Sequence, residues 1–356
     1  MTGFSAANAW IGPSSRHSPY SNHDCILLPL ENEADNRGVS TYIQAVVMKS
    51  VSLRVSVLLI LTGLLAGEAG AQRAAVAKHK RSNSPAPPVL IPVLLNDPVE
   101  IIRRSAKNEE QDARRGREFN YSEMTLEKKL DGSGAIESSE SHTKQVLVVN
   151  GDRLERVVAK NGAPLPASDA AKEEEKLRVA THKYATETAQ ERAARLKAIE
   201  KSREDERGLV EDVQQAYNFT LLAPQEWNGH TCYVIQADPK PRFQPHSKDG
   251  KYLPKFRGKI WVDQREMQWA KVDLEMVETI SFGWFVARLN KGTHVEVEQA
   301  RVAGDVWLPT QVHVRMQGRV ALVQDVNYDV TRTYRDYKDS SLWVEVSKLG
   351  GSRSSP

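Results

Sequence analysis

Residues 306–334 read VWLPTQVHVRMQGRVALVQDVNYDVTRTY, and their period of two decides the fold. Val306, Leu308, Thr310, Val312, Val314 and Met316 fall on one face of the first half. Val320, Leu322, Val326, Tyr328 and Val330 fall on one face of the second, with Gly318 between them read as the reversal. Successive side chains of a strand point to opposite faces, so each half has an apolar side and a wet side. Upstream, NFTLLA, TCYVIQA, GKIWVDQ, QWAKVDLEMVE, ISFGWFVARL and HVEVEQARV follow in succession. They are punctuated by Asn228-Gly229, Asn290-Lys291-Gly292 and Gly304-Asp305. In QWAKVDLEMVE, Ala270, Val272, Leu274 and Met276 share a face. Nearer the start, FNYSEMTLEKKL, AIESSESHTKQVLVV and RLERVVAK are joined by DGSG and Asn150-Gly151-Asp152. Asn-Gly and Asp-Gly accept the backbone angles that tight hairpins demand, so the whole reads as antiparallel meander.

Two helical regions interrupt it. Asp97 followed by Pro98 is a helix start, and Val99, Ile102 and Ala106 give that helix one apolar face to about Arg115. Residues 168–207 contain no Gly or Pro and are dense in Glu, Lys, Arg and Ala. Their apolar stripe is thin: Leu177, Ala180, Tyr184, Ala189, Ala193, Leu196 and Ile199. This predicts one long charged helix, stopped at Gly208 and followed by a short one over 209–216. A sheet with a single apolar face must curl or be covered, and these helices are its available covers. The expected fold is therefore α+β: a strongly curved, unclosed antiparallel half-barrel of about ten strands, covered by helices.

The address is read from MKSVSLRVSVLLILTGLLAGEAGAQ at residues 48–72. Lys49 and Arg54 form a basic start, Val55 to Leu65 a short apolar run, and Ala69-Gly70-Ala71 a small-residue cleavage site before Gln72. Roughly 20 apolar residues are needed to span a bilayer, and this run is shorter, so no stable membrane span is expected after cleavage. Residues 1–47 read as a spurious or lost leader, 48–71 as the signal peptide and 72–96 as a Pro-rich tether. Residues 97–338 form the folded domain, including the helical insertion 168–216, and 339–356 a tail. Export to the periplasm follows. A net charge of +3 decides nothing about a nucleic-acid partner, but the aromatic residues are spread without a basic stripe and export argues against one, so none is expected. After cleavage Cys232 is the one remaining cysteine, so no internal disulfide forms, and its place in an alternating strand reads as a buried structural thiol.

Three pieces resemble the LolA-like group of outer-membrane lipoprotein-sorting proteins, and its uncharacterised bacterial members in particular. They are Gly258-Lys259-Ile260-Trp261-Val262-Asp263, a strand with a terminal Asp; Gly304-Asp305-Val306-Trp307-Leu308-Pro309, a turn into a strand; and the closing Tyr334-Arg335-Asp336-Tyr337. Their order along residues 97–338 carries the resemblance. It implies an unclosed barrel whose apolar cavity holds acyl chains in the lipoprotein carriers. The long charged helix and a large Pro-rich loop over 238–257 depart from that pattern.

The alternation breaks at Thr279 to Leu289, where Phe282, Trp284, Phe285, Val286 and Leu289 surround Gly283 in an almost continuous apolar run. Two readings stand: a central strand covered on both faces with Gly283 at a bulge, or an aromatic cavity mouth. On the second reading Val272, Leu274, Met276, Phe282, Trp284, Phe285, Leu289, Val312, Val314, Met316, Leu322 and Val326 line a site for lipid or lipoprotein acyl chains. Core packing explains the same residues. His294, Glu296, Glu298 and His313 could come together on the wet face as zinc ligands, though a paired charged surface reads as well. G-x-S-x-G, H-E-x-x-H, G-x-x-x-x-G-K and C-x-x-C are all missing from the mature chain, so the expectation is a non-catalytic protein with no cofactor and no resident metal. The alternative to a lipid binder is an envelope interaction or stress-sensing scaffold, with the helix 168–207 as its partner surface.

Overall fold

The computed structural model describes residues 95–149, 151–282, 287–320 and 324–340, the side chains of Glu206, Phe282, Ala287, Ala303, Val320 and Gln324 excepted. The leader, the signal peptide and residues 341–356 lie outside these, as does the tether up to residue 94. Among the described residues, β1 (Phe119–Leu130), β2 (Ile136–Val149), β3 (Asp152–Lys160) and β4 (Ala163–Pro164) form a first meander. Then come β5 (Tyr217–Trp227), β6 (His230–Pro239), β7 (Phe256–Asp263) and β8 (Trp269–Met276). The last are β9 (Ile280–Phe282), β10 (Ala287–Leu289), β11 (His294–Ala303), β12 (Val306–Val320) and β13 (Gln324–Asp339). One sheet of 13 strands runs in the order β4-β3-β2-β1-β13-β12-β11-β8-β7-β6-β5, with β9 and β10 as a branch. Its two ends, β4 and β5, do not pair, so the α+β sheet is open. The first meander joins the second through β1 and β13, antiparallel from Phe119↔Asp339 to Lys129↔Tyr328.

The strand count exceeds the expected ten or so partly because Thr279 to Leu289 is not one strand. Phe282 pairs with Ala287 and Leu289 with Ile280, which makes a hairpin, and its connection lies at 283–286, outside the described residues. Gly318 is not the reversal either. β12 passes straight through it to Val320, which pairs with Gln324 of β13. A Cβ on Gly318 would sit 2.3 Å from the Arg288 carbonyl oxygen, so the glycine admits the close approach of β10.

Helix α1 (Pro98–Gly116) starts as its sequence dictates: Pro98 opens the first turn and Asp97 caps it, accepting from the Val99 N–H at 3.0 Å. The charged region departs from expectation. It is two helices, α2 (Ala167–Thr186) and α3 (Ala189–Ala216), broken at Glu187-Thr188 and not at Gly208. Thr188 and Glu191 form a capping box, with Glu191 N–H donating to the Thr188 hydroxyl and Thr188 N–H to the Glu191 carboxylate. Inside α3, Gly208 lets Ser247 pack close, since a Cβ there would lie 3.3 Å from that of Ser247. The next turn carries Asp212, fully buried, which accepts from the backbone N–H of His246 and of Ser247, from the Ser247 hydroxyl, and shares a 3.0 Å contact with His246 Nδ1. Burial pulls this carboxyl upward, but those bonds outweigh it and hold it below the usual range. The Pro-rich loop is thereby tied to α3. By contrast α2 buries none of its residues and meets β3 through polar contacts, with Glu173 accepting from the Val157 N–H on that edge.

Candidate functional site

Of the expected lining residues, seven are buried in the main core: Met276 is fully covered, and Val272, Leu274, Leu289, Val312, Val314 and Met316 expose 2 to 7%. Val326 packs against them, half-buried. The side chain of Phe282 and the residues Trp284, Phe285 and Leu322 lie outside the described set. The register sets four of the seven, Val272, Val312, Leu274 and Val314, in two rows. Val272, Val297, Val312, Arg332, Thr125 and His142 are successive cross-strand partners, as are Leu274, Val295, Val314, Val330, Glu127 and Glu140. Partners directly opposite share a face. Along these rows the core face is therefore apolar from β8 to β12, mixed on β13, where Val330 neighbours Arg332, and polar or ionic in the arm of β1 and β2. The expectation of one apolar and one wet face fails in that arm: Glu123 exposes 9% and Thr125 2% on the core side. Burial raises Glu127, with Glu140 adding to it, and burial lowers His142, with Lys144 adding to it.

The outer face also differs from a plain wet surface. A bulge sets Val262 opposite Trp269 and Trp261 opposite Lys271. It turns Ala270 away from Val272 and into a second cluster with Cys232, Val234, Trp261 and Trp307. Lys271 lies over Trp227 at 4.1 Å and pairs with Glu296 at 2.9 Å. Cys232 is fully buried, and burial lifts its thiol to about 12, as expected of a structural cysteine. A groove of about 640 Å³ opens beside this cluster, walled by Arg257, Lys259, Asp238, Asp273 and Glu275. The two imidazoles suggested as zinc ligands take separate partners. His294 Nε2 lies 2.7 Å from Asp273 and His313 Nε2 lies 3.2 Å from Asp329. Among the described residues no group of three His, Cys, Asp or Glu side chains is placed to hold a metal ion.

A set of polar residues that sequence reading passed over holds α1 in place. Asn108 Nδ2 donates to the carbonyls of Glu266 and Met267 in the β7–β8 turn. Trp269 Nε1 donates to Ser105 at 2.7 Å, Gln268 Nε2 to Asp112 at 2.7 Å, and the Trp307 N–H to Asp112 at 3.0 Å. Gln299 of β11 donates to Glu109 at 3.0 Å. Gly116 meets Leu308, and Leu95, just before the helix, donates to the Tyr233 hydroxyl of β6. Helix α1 thus crosses one end of the sheet from β6 to β12. The residues that carried the family resemblance build this seat. Asp263 accepts from the N–H groups of Arg265 and Glu266 and shapes the β7–β8 turn, Asp305 pairs with Arg115 at 2.5 Å, and the Tyr337 hydroxyl donates to the Pro309 carbonyl. Glu109 and Asp112 continue, at helical spacing, the stripe of Ile102 and Ser105, and that spacing was the available sign that they face inward.

No family model and no curated protein matches the chain. Among solved structures it is similar to a LolA superfamily protein from Nitrosomonas europaea, at 10% identity over 68% of this chain and 92% of that one, with a TM-score of 0.28. It is also similar to a domain assigned to outer membrane lipoprotein sorting from Vibrio parahaemolyticus, at 12% identity over 67% and 92%, with a TM-score of 0.30. MucB in complex with MucA(peri) is similar at 11% identity over 67% and 94%, with a TM-score of 0.19. The first two are described as members of the group whose motifs the sequence resembles. Likeness at this level does not extend to ligand or partner.

Proposed function

We propose that this chain is an exported, periplasmic, non-catalytic protein that receives an acyl chain or other lipid tail on the apolar part of its core face. The observation that supports this is the division of that face. Apolar rows run from β8 to β12, and a polar arm that begins at Arg332 of β13 and runs through β1 and β2 continues them, which suits a molecule with a greasy tail and a polar head. Hydrophobic burial supplies about 0.8 kcal/mol for each methylene covered, enough for tight binding without a charged contact. The lining residues are covered in this conformation, so a chain reaches them only when a cover moves. The hairpin β9–β10 borders that floor at the end of the sheet away from α1. The test is lipid mass spectrometry on protein recovered natively from the periplasm, together with displacement of a fluorescent long-chain fatty acid. Co-purifying lipid, near one per chain, on a protein beginning at Gln72 is expected. Protein free of lipid that also fails to take up the fatty acid would overturn the reading.

A second reading is favoured by one feature, the absence of any buried residue on α2, where Val179 exposes 54% of its surface. On that reading α2 docks an envelope protein, and its deletion abolishes a pull-down that the intact chain supports.

A further inference from the structure

We propose that α1 is a proton-dependent clasp, held most tightly on the end of the sheet while Glu109 carries a proton and loosened, so that it opens more often, when Glu109 ionises. The proposal goes beyond the lipid reading and stands independently of it.

The geometry of the seat is short of hydrogen-bond donors. Glu109, Gln268 and Gln299 expose 5, 8 and 4% of their surfaces. Glu109 receives one bond, from Gln299 to its Oε1, while its Oε2, the Gln299 Oε1 and the Gln268 Oε1 are all buried without a partner. Orphaned buried acceptors are costly, and two of these three belong to the single Gln299–Glu109 pair, the third to the neighbouring Gln268–Asp112 pair. A proton on the Glu109 carboxyl turns one of those acceptors into a donor. The surroundings favour it. From its own helix Glu109 faces Asp112, an acid; from β11 it faces Gln299, which carries no charge, and no cation is among the groups that act on it. Asp112 is raised as well, by burial first, against the bond from the Trp307 N–H and the Arg115 charge that lower it, with Asp305 and Glu266 adding to the rise. Burial first, and then the Asp112 charge, push Glu109 from 4.5 up to about 8.

The sign follows from proton uptake. Docked α1 binds a proton that exposed α1 does not, so raising the pH from the ordinary carboxylate range towards 8 weakens docking, by up to about tenfold per pH unit. Release frees Trp269 and Trp307 from their hydrogen bonds to Ser105 and Asp112 and uncovers the apolar residues beneath α1.

Hydrogen exchange of the α1 amides in the full chain, corrected for the intrinsic rate, tests this between pH 6 and 8. Protection of the wild type is expected to fall by up to about a hundredfold over that range, and that of Glu109→Gln to stay level. Level protection in the wild type, or an equal fall in the variant, would overturn the clasp. Should the variant fail to fold, the carbon-13 resonance of the Glu109 carboxyl in the wild type decides. A midpoint near 8 supports the proposal, and one in the ordinary range of about 4 to 5 defeats it.

Discussion

Gly318 and Gly258 show how a missing side chain sets sheet architecture at the scale of single residues. A Cβ on Gly258 would lie 2.0 Å from the Asp273 carbonyl oxygen, and one on Gly318 would lie 2.3 Å from that of Arg288. Both are backbone atoms held by a ladder, so neither can step aside cheaply. Gly318→Ala is expected to cost about 1–3 kcal/mol, the usual range for overpacking, and to loosen the β10 pairing. Thermal unfolding reads the first effect and amide exchange over 287–289 the second. Gly132→Ala is the control: a Cβ there meets nothing within 4 Å, and stability should change by less than about 0.5 kcal/mol. A glycine in a strand pattern has two meanings, a turn or a close neighbour, and local sequence favours the first. The second depends on a strand from elsewhere in the chain.

Among the elements, those whose cause is local were legible. The start of α1 needs only Asp97 and Pro98, and hairpins such as β5–β6 need only Asn228-Gly229, both of which adopt positive φ. The break between α2 and α3 has an equally local cause. Thr188 and Glu191 satisfy the first donors of α3 reciprocally, a signal outweighed in the sequence reading by the uninterrupted helix formers on either side. Replacing Thr188 by Ala removes the side-chain bond and is expected to lower stability by about 1 kcal/mol, seen as a loss of ellipticity and of protection in the first turn of α3. Arg195 ties α3 to β3 through Asp152 at 3.0 Å and to the link between α2 and α3 through Glu187 at 2.7 Å, so the loss should stay within α3 and leave the strands intact. The hairpin β9–β10 was less legible, because an apolar run around one glycine fits a buried strand and a hairpin alike.

For the whole molecule, stability rests on α1 meeting the sheet. Ile101 and Ile102 have no exposed surface and join the core that spans β5 to β13. Ile102→Ala is expected to cost about 2–5 kcal/mol, measured by denaturant unfolding, because the rigid seat around it collapses only in part. Seven of the residues expected to line a site are buried in the core, since alternation decides which side a strand residue takes. Ala270 was misplaced because a bulge shifts the count by one, and a bulge is set by the partner strand.

What the sequence by itself determined was the antiparallel alternation, the helix start, the turns and the exclusion of familiar catalytic motifs, all of which depend on neighbours within a few residues. Only the tertiary structure decided the strand order, the pairing of β1 with β13 and the polar arm of the core face. It alone decided the buried seat of Glu109 and Asp112 as well. Each of these depends on residues more than a hundred positions apart, and what a carboxylate does in a protein is fixed by whether such distant partners bring it water, a cation or neither.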